Sequence, residues 1–125
     1  MKKILVCEDD IVEVKVIQIA LESEDVHAVL VKDGDKAFKV LREKNDFDLI
    51  ITDIHMPHHN GDEILKLVRD EQKKNTPIIM MSSDNAEEAI ALALKSGVNE
   101  YLVKPIDPKE LNRKVKKLLK LWVVR

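Results

Sequence analysis

The chain has 125 residues, 45% of them hydrophobic and 35% charged, with 21 basic side chains against 23 acidic ones and a net charge of -2. These figures fit one ordinary folded domain and exclude a disordered chain, a collagen-like repeat and the broad basic footprint of a nucleic-acid binder. The single cysteine, Cys7, allows no internal disulfide or cysteine-rich zinc site, which favours a reducing, cytoplasmic setting. The longest apolar runs, Ile4 to Cys7 and Pro77 to Met81, fall far short of the roughly 20 residues a membrane span requires. The apolar stretch after Met1-Lys2-Lys3 stops at Glu8-Asp9-Asp10, too early for a signal peptide.

Short β-branched apolar runs alternate with longer segments of helical period, the pattern of an α/β fold with a parallel sheet. Strands are expected over Lys3 to Cys7, Ala28 to Val31, Leu49 to Thr52, Ile78 to Met81 and Tyr101 to Val103. Helices are expected over Ile11 to Glu22, Lys36 to Glu43, Glu63 to Glu71, Glu87 to Lys95 and Lys109 to Trp122. Turn and cap signals fall at the boundaries: Asp33-Gly34-Asp35, His59-Asn60-Gly61, Asn75-Thr76-Pro77, Ser96-Gly97 and Asp107-Pro108. In the last helix Leu111, Val115, Leu118 and Trp122 make an apolar stripe, and the remaining surface is basic. No repeat or linker interrupts the pattern, so 1–125 reads as one domain with no output domain in this chain.

In an open α/β sheet, functional groups gather at the carboxyl ends of the strands. Here Glu8, Asp9 and Asp10 follow the first strand, Asp53 ends the third, Ser82 and Ser83 follow the fourth, and Lys104-Pro105 follows the fifth. Carboxylates within about 4 Å of each other repel by roughly 4 kcal/mol at an effective dielectric near 20, so the cluster must protonate or bind a cation. An all-oxygen set suits Mg²⁺, with Mn²⁺ as a substitute, and a neighbouring lysine and hydroxyl would serve phosphoryl oxygens. A Gly-rich phosphate loop is absent from the sequence, so the acceptor is expected to be a protein carboxylate, with Asp53 as nucleophile. Asp10 reads as a helix cap. His55, His58 and His59 suggest a transition-metal site, but a loop without cysteine reads more simply as three solvated histidines. Cys7 reads as an inert buried strand residue.

Four blocks together, Ile4-Leu5-Val6-Cys7-Glu8-Asp9-Asp10, Asp48 to Pro57 followed by Asn60-Gly61, Pro77 to Ser83, and Tyr101-Leu102-Val103-Lys104-Pro105, resemble the receiver domain of response regulators in two-component signal transduction, including the chemotaxis type. The resemblance spans nearly the whole chain. It implies a flavodoxin-like (βα)5 doubly wound parallel sheet of strand order 2-1-3-4-5. It implies phosphorylation of Asp53 by a sensor histidine kinase or phosphotransfer protein, and Mg²⁺ held by Asp9, Asp53 and the His55 carbonyl, with Glu8 acting through water. It further implies that Lys104 contacts the phosphoryl group, that Ser82 turns toward it, and that Tyr101 changes rotamer. The face built from the fourth helix, fifth strand and fifth helix would then dock a downstream protein or a second copy, with no direct nucleic-acid or membrane role. The peptide before Pro105 would be cis.

Some positions depart from the family's usual residues. Ser82 stands for the commoner Thr, Ser83 for a smaller residue, and Ile106 for a frequent Phe. His55 and Asp84 occupy the positions expected to tune hydrolysis of the phosphate, and a contact between them over the site is one way to do so. No turnover of an external substrate is expected. Two other readings compete: a receiver-like scaffold that is never phosphorylated, and an aspartate-nucleophile phosphohydrolase of the haloacid dehalogenase type, which would want an Asp where His55 stands. The apolar tail Leu121-Trp122-Val123-Val124-Arg125 suggests packing in a dimer or a piece of a longer protein.

Overall fold

The computed structural model describes residues 1–23 and 25–120, so Trp122 and the apolar tail lie outside the described residues. Strands β1 (Lys2–Cys7), β2 (Val26–Val31), β3 (Leu49–Asp53), β4 (Ile78–Ser82) and β5 (Glu100–Val103) alternate with helices α1 (Ile11–Ala20), α2 (Gly34–Glu43), α3 (Gly61–Lys66), α4 (Glu87–Lys95) and α5 (Pro108–Leu119). The strands pair in parallel in the order β2-β1-β3-β4-β5, the doubly wound arrangement the sequence pattern and the resemblance anticipate.

Alternation of side chains across the pleat explains why the central strands are apolar at every position. Leu5, Cys7, Ile50 and Met80 pack with Ala37 and Leu41 of α2, Ile64 and Leu65 of α3, and Ala93 of α4. Their neighbours Ile4, Val6, Ile51, Ile79 and Met81 face the other way, onto Ile17 and Ala20 of α1 and Leu111 and Val115 of α5. Cys7 is fully buried, and that burial pushes its thiol up to about 12, which accords with an inert strand residue. The chain leaves β1 toward β2 on one side and returns to β3 on the other, so the crevice beyond the ends of β1 and β3 is the switch point of the sheet.

Helix starts follow the caps. The Asp10 side chain accepts from the Val12 and Glu13 N–H groups, Asp33 from Lys36 N–H, and Asp107 from Lys109 N–H, with Pro108 in the first turn. Asn60 and Glu63 form a reciprocal capping box. These caps move α2 and α3 to start at Gly34 and Gly61, two residues before the apolar periodicity begins. β2 likewise starts early, at Val26, because Lys2 and Val26 are paired. The expected third helix is not uniform: over Leu67–Glu71 it widens into π turns, with Gln72 N–H donating to Leu67 C=O at 2.9 Å. Arg69 lies in this segment, and its guanidinium donates to the carbonyls of Lys74, Thr76 and Gly97 and to Asn99 Oδ1 at 2.8–3.0 Å. Two of these partners, Gly97 and Asn99, tie this segment to the turn that follows α4, and the other two, Lys74 and Thr76, to the loop before β4. At its other end α4 has no side-chain cap, and Ala93 is its one buried residue.

α5 is fastened to β5 by Glu100, whose two oxygens meet Lys114 Nζ at 2.7 Å and Lys117 Nζ at 3.0 Å. Partial burial works to raise the Glu100 carboxyl, but the two lysines outweigh it and hold it below its ordinary value. Because the folded state prefers ionised Glu100, this contribution is complete above the ordinary carboxylate range and fades as pH falls through the lowered folded value. Glu100→Gln is therefore expected to cost stability at pH 7, by about 1 kcal/mol, and progressively less as the solution is acidified below about pH 4. Urea titrations of both proteins at pH 7 and pH 3 measure the difference.

Candidate functional site

The polar residues that end β1, β3, β4 and β5 share the rim of the switch-point crevice. Glu8 is 1% exposed and Asp53 is 6% exposed, whereas Asp9 is open to solvent. The Lys104 ammonium sits between two of them, 2.5 Å from Asp53 Oδ2 and 2.8 Å from Glu8 Oε1. The second Glu8 oxygen accepts Asp10 N–H at 3.0 Å, and Asp53 Oδ1 accepts His55 N–H at 3.1 Å. Asp10 thus caps α1 with its side chain and orients Glu8 with its backbone.

One oxygen each from Glu8, Asp9 and Asp53 lie within 4.8 Å of one another. Two unit negative charges at that separation repel by roughly 3 kcal/mol at an effective dielectric of 20, and one ammonium cannot balance three carboxylates. Burial is the main influence on Glu8 and raises its carboxyl, against the lowering effect of Lys104 and the Asp10 N–H. Burial opposes charge on Lys104 as well, but its hydrogen bond to Asp53 and its ion pair with Glu8 prevail and hold it above its ordinary value. Glu8 Oε1 is buried with no donor aligned on it, since the Lys104 contact is close but off the hydrogen-bond direction. Three carboxylate oxygens gathered around one ammonium, one of them buried without an aligned donor, fit a hard divalent cation such as Mg²⁺.

Ser82 is buried at the end of β4, and its Oγ accepts Asp84 N–H at 3.0 Å. Tyr101 is half-buried and donates its hydroxyl to the Asp84 carbonyl at 2.8 Å. Both expected switch residues therefore hold the same backbone segment, a relationship no residue type at 84 would reveal. The Asp84 carboxylate turns into its own loop and accepts Ala86 N–H at 2.9 Å. His55 and Ser83 are exposed, and among the described residues no ion pair joins His55 to Asp84. The Lys104–Pro105 peptide is cis.

Two supporting residues carry more than their sequence roles as strand and turn suggested. Thr52 is fully buried and donates its hydroxyl to the Asp53 carbonyl at 3.0 Å, which fixes the peptide carrying the central acid. Gly61 N–H donates to Ile54 C=O, and a Cβ at Gly61 would come 2.6 Å from Met80 Sδ and 2.8 Å from the Asp53 carbonyl oxygen. The start of α3 is thus pressed against the strand end that presents Asp53. The Asn60-Gly61 pair signals a turn in sequence, but this contact is visible only in three dimensions.

Residues 4–116 match the sequence profile of the response regulator receiver domain. The chain belongs to that family. It is 36% identical over 119 residues to a chemotaxis protein CheY homolog of Campylobacter jejuni, covering 94% of this chain and 92% of that protein. It is 34% identical over 119 residues to the alkaline phosphatase synthesis transcriptional regulatory protein PhoP of Bacillus subtilis, and this receiver spans only about half, 49%, of that relative. The Francisella response regulator 1452 receiver domain superposes with a TM-score of 0.87 at 34% identity, covering 97% of this chain and 98% of that one. The chemotaxis response regulator CheY4 of Vibrio cholerae does so at 0.83 and 29% identity, covering 94% and 98%. Among the described residues no helix is long and apolar enough to cross a membrane.

Removing the ammonium would leave Glu8 and Asp53 facing each other without a counter-charge. Lys104→Met is expected to lose about 3 kcal/mol of stability at pH 8 without divalent cations. The loss should be smaller at pH 5 than at pH 8, because burial raises the Glu8 carboxyl and the missing ammonium no longer opposes its protonation, and Mg²⁺ should recover part of it at pH 8. Chemical denaturation with and without Mg²⁺ at the two pH values tests this. Gly61→Ala should destabilise by about 1–3 kcal/mol through overpacking, which the same titration measures.

Proposed function

We propose that this receiver domain is a phosphoacceptor switch whose acceptor is Asp53, supplied by the phosphohistidine of a sensor kinase or phosphotransfer protein. The observation that carries the reading is the Lys104 ammonium lodged between Asp53 and Glu8 at the switch point of the sheet. An Asp53 oxygen attacks phosphorus, the P–N bond to the donor imidazole breaks, and that imidazole leaves neutral after taking a proton. Lys104 exchanges part of its contact with Asp53 for a phosphoryl oxygen, so it stabilises charge that develops during transfer. Asp9, Asp53 and the His55 carbonyl would hold Mg²⁺ directly and Glu8 through water. When bound, Mg²⁺ neutralises phosphoryl oxygens. Mn²⁺ would fit the same oxygen set. The chain turns over no external metabolite in this reading, and it acts in the cytoplasm.

Ser82 carries the signal outward. If its hydroxyl donates to the phosphoryl group, the Asp84 N–H loses its present geometry, and the Asp84 carbonyl moves with respect to the Tyr101 hydroxyl. α4 begins three residues later without a side-chain cap and with little buried area, so its position is inexpensive to change. The face of α4, β5 and α5 would then meet a downstream protein or a second copy in a different shape. His55, Ser83 and Asp84 border the path of an attacking water and would set the lifetime of the phosphate.

Incubation of the protein with Mg²⁺ and acetyl phosphate, read by intact mass, should give a phosphate-sized adduct that decays on standing. The adduct should be missing without Mg²⁺ and in Asp53→Asn. An adduct that persists in Asp53→Asn overturns the assignment, and no adduct from either acetyl phosphate or a phosphorylated histidine kinase favours a scaffold that is never phosphorylated. Ser82→Ala should still accept phosphate, but its α4 amides should no longer change their hydrogen exchange on phosphorylation.

A further inference from the structure

The sheet has two edge strands, β2 and β5, and they are guarded unequally. β5 is four residues long and carries Glu100, whose carboxylate is tied to Lys114 and Lys117 of α5. β2 is six residues long, Val26-His27-Ala28-Val29-Leu30-Val31, and pairs with β1 without a break in register. Charged residues, proline, shortness and bulges are the usual devices that keep an open edge from pairing with another strand. β2 contains no Lys, Arg, Asp, Glu or Pro, and its β-branched and apolar residues favour pairing. Leu30 is 39% exposed, and Val26, Ala28 and Val29 are only half-buried.

The backbone decides which residues face outward. Lys2 N–H donates to Asp25 C=O and Glu8 N–H to Val31 C=O, so the odd-numbered residues of this stretch turn their peptide groups to β1. Alternation along the strand then aims those of Val26, Ala28 and Leu30 away from the sheet. Val26 N–H has one long contact, 3.4 Å to Ser23 C=O, and among the described residues no strand lies on this side of β2. An antiparallel neighbour exchanges both bonds between outward residues that stand directly opposite each other. For a second β2 related by a two-fold axis normal to the sheet, one register uses all three: Ala28 faces Ala28 of the second copy, and Val26 faces Leu30. That register covers the exposed Leu30 with a valine. It also brings Lys32, exposed just after the strand, beside Asp25, exposed just before it, once at each end of the paired strands.

We propose that the β2 edge docks a second copy of this chain, joined by antiparallel β2–β2 pairing into one continuous sheet. The edge is complementary to itself, because a two-fold axis through Ala28 sets donors on acceptors, apolar side chains on apolar side chains, and Lys32 beside Asp25. The contact closes on itself, since each copy spends its one unguarded edge and a filament would need another. α1 packs on the Val26 and Ala28 side of β2, and its Ile11, Val12 and Ile19 are exposed, so three more apolar side chains stand on that side of the sheet. β5 is the opposite edge, so pairing through β2 leaves the face of α4, β5 and α5 open in both copies. The pairing requires neither Mg²⁺ nor a phosphoryl group and is independent of the switch at Asp53.

The test is sedimentation equilibrium of the full chain without Mg²⁺ or a phosphoryl donor. The mass should rise with concentration from that of one chain to that of two, equally in the wild type and in Asp53→Asn. Leu30→Lys sets a charge against Val26 of the second copy and should weaken the dimer roughly 10-fold or more. Ala28→Cys should give a disulfide-linked dimer when oxidised with diamide, because the paired Cα atoms would stand about 5.5 Å apart, within the span of a disulfide. Leu30→Cys should not, because Leu30 stands opposite Val26, and the wild type, whose Cys7 is buried, is the control. Thermal melts of each variant separate loss of pairing from loss of the fold. A monomer at every concentration overturns the proposal, as does a dimer that needs a phosphoryl donor, that Leu30→Lys leaves intact, or that cross-links through Leu30→Cys and not Ala28→Cys.

Discussion

The ion triplet of Glu8, Lys104 and Asp53 is the constraint around which the rest of this molecule is arranged. Two carboxylates, nearly withdrawn from water, are tolerated because an ammonium from a third strand reaches both. Such a triplet contributes little net stability, since desolvation offsets most of the attraction. What it leaves unfinished is a third acid at the rim and a buried oxygen with no aligned donor. The fold supplies rigidity for this arrangement from elsewhere. β1 and β3 are buried on both faces, and their caps, turns and the close seat of Gly61 fix where each acid points.

The features readable from sequence are those that repeat or stand at fixed distances. Alternating apolar runs and caps predicted five strands and five helices, and the strand-end acids, hydroxyl and lysine fell on one rim as expected. Boundaries were less legible for a physical reason. The starts of α2, α3 and β2 are decided by a side-chain cap or by pairing with a neighbouring strand, and neither changes hydropathy. The π turns over Leu67–Glu71 are similarly silent, because they preserve helical spacing almost as well as an α-helix does.

Within the site, side chains were more legible than backbone. Asp53, Glu8, Asp9, Lys104 and Ser82 could be named from residue type and position, but the sharing of Asp84 between Ser82 and Tyr101 uses its peptide N–H and C=O, which every residue except proline would offer. His58 and His59 illustrate the converse. Their residue types were visible, but Asp35, which lies 3.6 Å from His58 and 3.3 Å from His59, belongs to α2 and is brought near by the missing side chain of Gly34, so sequence spacing pointed to solvent.

Arg69 gives the molecule a mechanical asymmetry. Its bonds to Gly97 and Asn99 hold the far end of α4, while the near end has neither a side-chain cap nor much buried surface. A helix fixed at one end and loose at the other behaves as a lever with its fulcrum at Gly97. Nine residues of α4 extend about 13 Å, so a displacement of about 1 Å near Asp84 becomes a tilt of about 4° by that geometry. Leu92 and Leu94 are exposed on this helix, so under the proposed switch they would travel with such a tilt and the outer surface would register a hydrogen bond changing hands inside.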